Sequence, residues 1–238
     1  MTTNHRSPSR RYRPAGRAFR EVPSFLLIFL TLQIGIVQAY QVPTGSMERT
    51  IRPGDFLLAD KLTLGPRTPH WIGIPWTDLG VHLPAVKLPG LRGVKRGDIV
   101  VFEVPDCPSG QYIKRVIGLP GDLVEVRSKQ VWINGEPRDE TRYVVHQDDY
   151  VLPPDYEQPG ILDEMGNRDN FGPYRVPPGT VFLMGDNRDD SRDSRYFGAI
   201  PEDNIIGTAR LIALSWNKET GAAPWDRLRI ERFGSWLD

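Results

Sequence analysis

The chain has 238 residues, room for one or two domains, with 39% hydrophobic and 25% charged residues, which excludes a wholly disordered chain and a multi-span membrane protein. Lysine plus arginine, 30, balances aspartate plus glutamate, 30, which argues against a nucleic-acid partner recruited by bulk charge. The balance is uneven along the chain: the first 20 residues hold six of the 30 basic groups and no acid, which leaves 24 against 30, a net of −6, on the other 218. A single cysteine, Cys107, rules out an intramolecular disulfide and has no Cys/His company that would hold a metal. Twenty-three glycines and 22 prolines favour a strand- and loop-rich fold over a helical bundle.

In chain order, residues 1–21 form a basic tail. Residues 22–40, VPSFLLIFLTLQIGIVQAY, carry no charge. As a helix these 19 residues would span ~28 Å, close to the ~30 Å hydrocarbon core of a bilayer, with Gln33 and Gln38 weakening the segment. The preceding arginines keep the N-terminus cytoplasmic and send residues 41–238 to the far side. The competing reading is a cleaved signal peptide, because Val37-Gln38-Ala39 offers small or moderate residues at −3 and −1. The residues alone leave both open.

Beyond this segment the pattern is mainly β. Strands are expected at 98–104, 112–117, 123–127, 130–133, 180–184 and 208–214, with a hairpin about Ser128-Lys129 and a turn at Asn134-Gly135. Residues 65–93, rich in proline and glycine and holding Trp71 and Trp76, read as a loop insertion whose aromatics either touch a membrane surface or pack on the core. Residues 136–170 hold ten acids against three bases and read as part of a solvated insertion. The run 224–233, with apolar positions beside arginines, suggests a short helix on lipid or on the core.

Three places carry candidate chemistry. Pro43-Thr44-Gly45-Ser46-Met47 puts a serine a few residues past the uncharged stretch. Histidines are few and none has a triad context, so a serine nucleophile would need a lysine base. Lys114 lies mid-strand between Tyr112-Ile113 and Val116-Ile117. It is either half-exposed, with its amine in water, or buried, with a lowered pKa that makes it a usable base. The run Gly185-Asp186-Asn187-Arg188-Asp189-Asp190-Ser191-Arg192-Asp193-Ser194-Arg195-Tyr196-Phe197-Gly198 interleaves opposite charges as a salt-bridged loop would.

Taken together, PTGSM at 43–47, RPGD at 52–55, RGDIVVF at 96–102, YIKRVIGLPGD at 112–122 and GDNRDDSRDSRYFG at 185–198 make the chain resemble bacterial type I signal peptidase, from Pro43 to about Asn217. The resemblance implies a mainly β fold: an antiparallel catalytic sheet from 41–122 and 178–217, an inserted smaller β/loop subdomain at 123–177, one N-terminal transmembrane helix at 22–40, and a C-terminal tail or short helix at 218–238. It implies Ser46 as nucleophile and Lys114 as general base. Thr44 would join the Ser46 amide in an oxyanion hole, and Ser191 would orient the lysine amine. Asp193 and Arg195 would form a buried supporting ion pair, and Tyr40, Val42 and Ile113 would line shallow pockets for the substrate's small −1 and −3 residues. No metal or cofactor is needed. The implied partners are signal peptides of exported pre-proteins, the lipid bilayer and the translocation machinery, without nucleic acid. The implied location is the bacterial plasma membrane, with the catalytic part outside. The anchor would then be retained, and slow self-cleavage after Ala39 is an expectation. One departure stands out: Arg49 occupies a position where the family usually has proline, which should loosen the turn after the nucleophile without removing a catalytic group. Two rivals remain. A self-cleaving repressor-type Ser/Lys hydrolase would carry a helix-turn-helix, which is not found. A catalytically inactive, membrane-tethered β-rich binding module has only Arg49 in its favour.

Overall fold

The structure, a computed structural model, describes residues 36–66, 71–73, 80–82, 86–105, 111–217 and 227–237. The expected span lies largely outside these residues, as does Cys107. Among the described residues no helix is long and apolar enough to cross a membrane.

The strands are β1 (Val37–Gln41), β2 (Asp55–Asp60), β3 (Trp71–Gly73), β4 (Gly80–His82), β5 (Ile99–Glu103), β6 (Gln111–Gly118), β7 (Leu123–Arg127), β8 (Gln130–Ile133), β9 (Glu136–Pro137), β10 (Phe171–Arg175), β11 (Thr180–Met184), β12 (Ile200–Pro201), β13 (Ile205–Ser215) and β14 (Ser235–Trp236). A single helical turn, α1 (Ser194–Phe197), lies between β11 and β12. The protein is mainly β, and among the described residues all the pairs between these strands are antiparallel. The large sheet runs β1-β2-β13-β5-β6-β11-β12, with β14 added beside β13. A second sheet, β10-β7-β8-β9, is built from residues 123–175 alone.

Local sequence explains these elements. In β5, Ile99, Val100, Val101 and Phe102 are all buried, as a β-branched run covered on both faces should be. β7 and β8 alternate buried and partly exposed positions, one face on the core. Their turn residues Ser128 and Lys129 both have positive φ, 48° and 70°, as a two-residue type I′ hairpin requires. The two sheets share a core of Val124, Val126, Val131, Phe171, Phe182 and Met184. A separate cluster of Met47, Ile51, Leu57, Ile99, Ile212 and Leu237 underlies the segment around Ser46.

Four expectations are corrected. Residues 37–40 were expected to end the membrane helix, yet they belong to β1, whose partners on β2 run from Val37↔Asp60 to Gln41↔Phe56. Ladder bonding to β2 wins over the apolar character of the stretch, and cutting after Ala39 within one molecule would require pulling this strand out. The insertion 65–93 is not wholly loop: it holds the β3–β4 ribbon, and its base is zipped where Leu91 and Arg92 donate to Leu62 and Thr63. Residues 136–170 are not merely solvated. Glu140, Asn167 and Asp169 are buried, and the segment packs on the 185–195 run through the Glu140–Arg188 and Asp189–His146 pairs and the bond from Leu162 N to Arg195 O. Glu140 is the acid of the segment that an arginine of that run matches. Finally, the part of 224–233 that is described holds no amphipathic helix, only a 3-10 turn at Ile230–Arg232.

That C-terminal turn is a clamp. Arg232 forms two bonds to the fully buried Asp55, at 3.2 and 2.6 Å, and a third to Thr50 O at 3.0 Å. Ser215 Oγ donates to the same carboxylate at 2.6 Å, and so does the Arg52 amide at 2.8 Å. Gly54, at φ 90°, lies so close to Trp216 O that no Cβ fits. This C-terminal segment thus fixes the loop between Ser46 and β2. Removing one partner leaves a buried charge short of donors, so Arg232→Ala should cost on the order of 2 kcal/mol, below the fully buried range because Arg232 is partly exposed and other donors remain. Urea unfolding of the variant beside the unmutated chain measures it.

Candidate active site

Ser46 lies in a tight turn after β1, in which Glu48 N bonds to Gly45 O and Ile51 N bonds to Met47 O, both at 2.8 Å. Met47 and Ile51 anchor this turn in the core, leaving Ser46 half-exposed. Lys114 sits on β6, opposite Val100 of β5. Its Nζ lies 2.6 Å from Ser46 Oγ, although 68 residues separate them in sequence. Lys114 is 3% exposed, and burial lowers its pKa from 10.5 to about 8; Asp193 pushes it up and Arg195 down. A residue that the sequence left between half-exposed and buried is therefore buried, with a direct line to the candidate nucleophile.

Consecutive residues of a strand point to opposite faces. Arg115 accordingly turns from Lys114 toward Asp186, making a bidentate pair at 2.9 and 2.9 Å. The Tyr143 ring lies 4.0 Å from its guanidinium carbon. Asp186 also accepts from Thr50 Oγ1 at 2.6 Å. Neither Arg115 nor Asp186 was singled out by sequence, although the YIKR and GDN motifs contain them. In the same loop Arg195 binds Asp193 through Nε at 2.9 Å and Nη2 at 2.8 Å, and both residues are buried. Burial alone would raise the Asp193 pKa; the Arg195 charge and its hydrogen bonds hold it below the ordinary carboxylate range.

Asn187 joins this loop to the nucleophile turn, its amide donating to Ser46 O at 3.1 Å and its Nδ2 to Gly45 O at 3.3 Å. The Ser191 hydroxyl, expected to orient the lysine amine, makes no hydrogen bond with it. It lies against Gly185 and close enough to Asp193 to help keep that carboxylate ionised.

Thr44, Ser46, Lys114, Tyr40, Val42 and Ile113 all line one pocket of about 480 Å³. The Thr44 hydroxyl and Ser46 amide donate to no group among the described residues. One wall is β1, which among the described residues pairs with β2 alone. The other is β6 from Gln111 to Lys114, which has no partner on its β11 side among those residues, because that pairing begins at Arg115. The sheet thus curls until two open strand edges face one cavity. Tyr40 and Val42 are buried and Ile113 is half-buried, giving apolar walls. Among the described residues, no group of histidine, cysteine or carboxylate side chains could hold a metal.

Arg49 does not loosen its turn. Its φ is 85°, a value closed to proline, and its guanidinium donates to Thr141 O at 2.8 Å and Val144 O at 3.0 Å. It ties the nucleophile turn to the 136–170 segment.

A family model described as signal peptidase, peptidase S26, matches residues 17–216. The signal peptidase I of Pseudomonas fluorescens is 34% identical, with 84% of this chain and 72% of the relative covered. That of Rickettsia typhi is 31% identical, with 87% of this chain and 88% of the relative covered. A solved signal peptidase I from Enterococcus faecalis V583 is 30% identical, with 49% of this chain and 97% of that chain covered, at a TM-score of 0.36.

Two measurements test the packing of this site. A Cβ on Gly185 would lie 2.5 Å from Ser46 O and closer still to Ser191 Oγ, so Gly185→Ala should push the nucleophile turn outward. A shift near 1 Å in a reacting group costs ~100-fold, and the loss should appear in kcat on a peptide substrate with folding preserved by circular dichroism. Burial of the ammonium also costs stability. Below about pH 8 Lys114 is protonated in both the folded and unfolded chain and the penalty is full; it fades as pH rises from about 8 to 10.5. Lys114→Met should therefore stabilise the protein by up to about 3 kcal/mol at pH 7 and by less at pH 10, read from urea midpoints.

Proposed function

The chain belongs to the signal peptidase family S26, and we propose that it works as a membrane-tethered endopeptidase with Ser46 as nucleophile and Lys114 as general base. Membership makes it a serine peptidase of the signal peptidase I type, acting on signal peptides of pre-proteins. The observation that carries the finer reading is the 2.6 Å approach of the buried Lys114 Nζ to Ser46 Oγ at the wall of that pocket.

The mechanism follows from that geometry. A neutral Lys114 amine accepts the Ser46 proton as Oγ attacks the carbonyl after the −1 residue. The Ser46 amide and Thr44 hydroxyl receive the developing oxyanion, each worth ~3–4 kcal/mol when aimed at it. The Lys114 ammonium then protonates the leaving amine, and the regenerated amine activates water against the acyl-enzyme. The substrate enters extended, bonding through its backbone to the open edges of β1 and β6. The shallow walls at Tyr40, Val42 and Ile113 favour small side chains at −1 and −3. Asp193 and Arg195 support the loop behind Lys114, and Ser191 helps to fill it. The uncharged residues before β1 anchor the protein in the plasma membrane, with the N-terminus cytoplasmic and the catalytic part outside, near the translocation machinery. Residues 123–177 make an inserted, non-catalytic subdomain.

Cleavage of a pre-protein with an Ala-x-Ala site tests this. The unmutated protein should cut it, while Ser46→Ala and Lys114→Ala should each abolish cutting and remain folded. Continued cleavage by either variant would sink the assignment, and an inactive unmutated protein would favour the binding-module reading. Because the base form of Lys114 is the deprotonated one, kcat/KM should rise about tenfold per pH unit below about pH 8 and level off above it.

A further inference from the structure

The pocket at β1 and β6 accounts for the residues before the scissile bond and leaves those after it without a site. On the other side of the nucleophile turn lies an open cleft of about 750 Å³, lined by Glu48, Arg49, Arg52, Gln147, Asn187 and Arg229 among others. It begins within two residues of Ser46 in sequence. It also meets Ser46 in space, because Asn187 holds the Ser46 and Gly45 carbonyls.

Its charge is lopsided, three arginines against Glu48. Arg52 is exposed, and its side chain makes no hydrogen bond or ion pair among the described residues. Among those residues the Arg49 guanidinium bonds to the carbonyls of Thr141 and Val144 and to no carboxylate. Arg229 bonds to Pro53 O at 3.2 Å and Asn217 Oδ1 at 3.1 Å, and stands 3.9 Å from Asp55, which Arg232 already engages. A second observation is independent of charge. Asn187, among the residues that line the cleft, is 1% exposed, and its Oδ1 has no hydrogen-bond partner among the described residues, which buried acceptors rarely lack.

We propose that this cleft receives the first residues of the mature chain, beyond the cut, and selects acidic side chains there over basic ones, through Arg49 and Arg52. The inference rests on the Ser46 endopeptidase reading and extends it to the substrate's other half. Signal peptides alone would then not set the cleavage rate: a carboxylate in the first few mature residues speeds processing and a lysine there slows it.

Three peptides test this, identical through an Ala-x-Ala site and carrying glutamate, glutamine or lysine at +2 to +4. For the unmutated chain, kcat/KM should fall about threefold from glutamate to glutamine and about threefold again to lysine, as exposed ion pairs allow. The spread should shrink at ~1 M salt, where the screening length is ~3 Å. Arg52→Gln should narrow it and Arg52→Glu should reverse the order. Arg138→Glu, an equal charge change at an exposed residue outside the cleft, should leave the order as it is. Equal cleavage of all three peptides by the unmutated protein overturns this inference alone. A preference that survives both Arg52 variants, or one that Arg138→Glu erases as well, also overturns it. Failure to cleave any of the three overturns the endopeptidase reading and this inference with it.

Discussion

A lysine amine beside a serine hydroxyl is useful as a base only while it is dry and free of a carboxylate partner. An anion within reach would hold it charged, whereas burial drives it toward the neutral form. The surroundings of Lys114 meet this constraint in an unobvious way. Two buried carboxylates, Asp193 and Asp186, each pull its pKa upward. Each is occupied by its own arginine: Asp193 by Arg195 and Asp186 by Arg115. The ion pairs stiffen the loop without handing their negative charge to the lysine, and burial remains the dominant influence. A single Asp→Asn change at either place would remove an anion but also strand an arginine, which is why the pairs act as units.

Pleating distributes these roles. Lys114 and Arg115 are neighbours on β6 and face opposite sides, so one strand supplies both the proposed base and the anchor for the loop facing it. Asp186 takes Arg115 from β6 and Thr50 from the nucleophile turn. Asp55 takes Arg232 from the chain's end and the Arg52 amide from that same turn. The position of Ser46 is thus set by contacts from β6, from the 185–198 loop and from the C-terminal 3-10 turn, over sequence separations of up to 182 residues. The contacts from these three elements are all distant in sequence, and together they hold the Ser46 hydroxyl within reach of the Lys114 amine.

The sequence was legible where local chemistry decides structure. The strands with β-branched runs, β5, β6, β7, β8, β11 and β13, agree with expectation to within a few residues, and the hairpin at Ser128-Lys129 is present. It was illegible where a longer-range partner decides. β1 lies at the end of an uncharged run that reads as helix, and pairing with β2 claims it. β2 itself, Asp55-Phe56-Leu57-Leu58-Ala59-Asp60, has too little β-branching to announce a strand, and it is held between β1 and β13. The segment 136–170 looks wholly solvated until Glu140 is seen to meet Arg188, and His146 to meet Asp189, of the 185–195 run. At the site, motif resemblance brought six residues into one pocket, but it expected a bond from Ser191 to Lys114 that the structure does not form. It also overlooked Asn187, Asp55 and Arg232, whose work depends on groups distant in sequence.

Arg49 shows how a departure from a family pattern is absorbed. A proline here would fix φ near −65° and stiffen the turn by itself. Arginine at φ 85° gives up that local restraint and accepts a backbone conformation that L-residues adopt at some cost. In exchange its guanidinium reaches Thr141 and Val144 and joins the nucleophile turn to the segment covering the 185–195 run. Rigidity moves from the backbone of one residue to a contact spanning 92 residues. The exchange also changes the surface: where proline would leave an uncharged rim, this chain has a cation with no ion pair among the described residues, at the wall of the cleft next to Ser46. A substitution that reads in sequence as a loss of order is, in three dimensions, both a replacement clamp and the origin of a charged wall on that cleft.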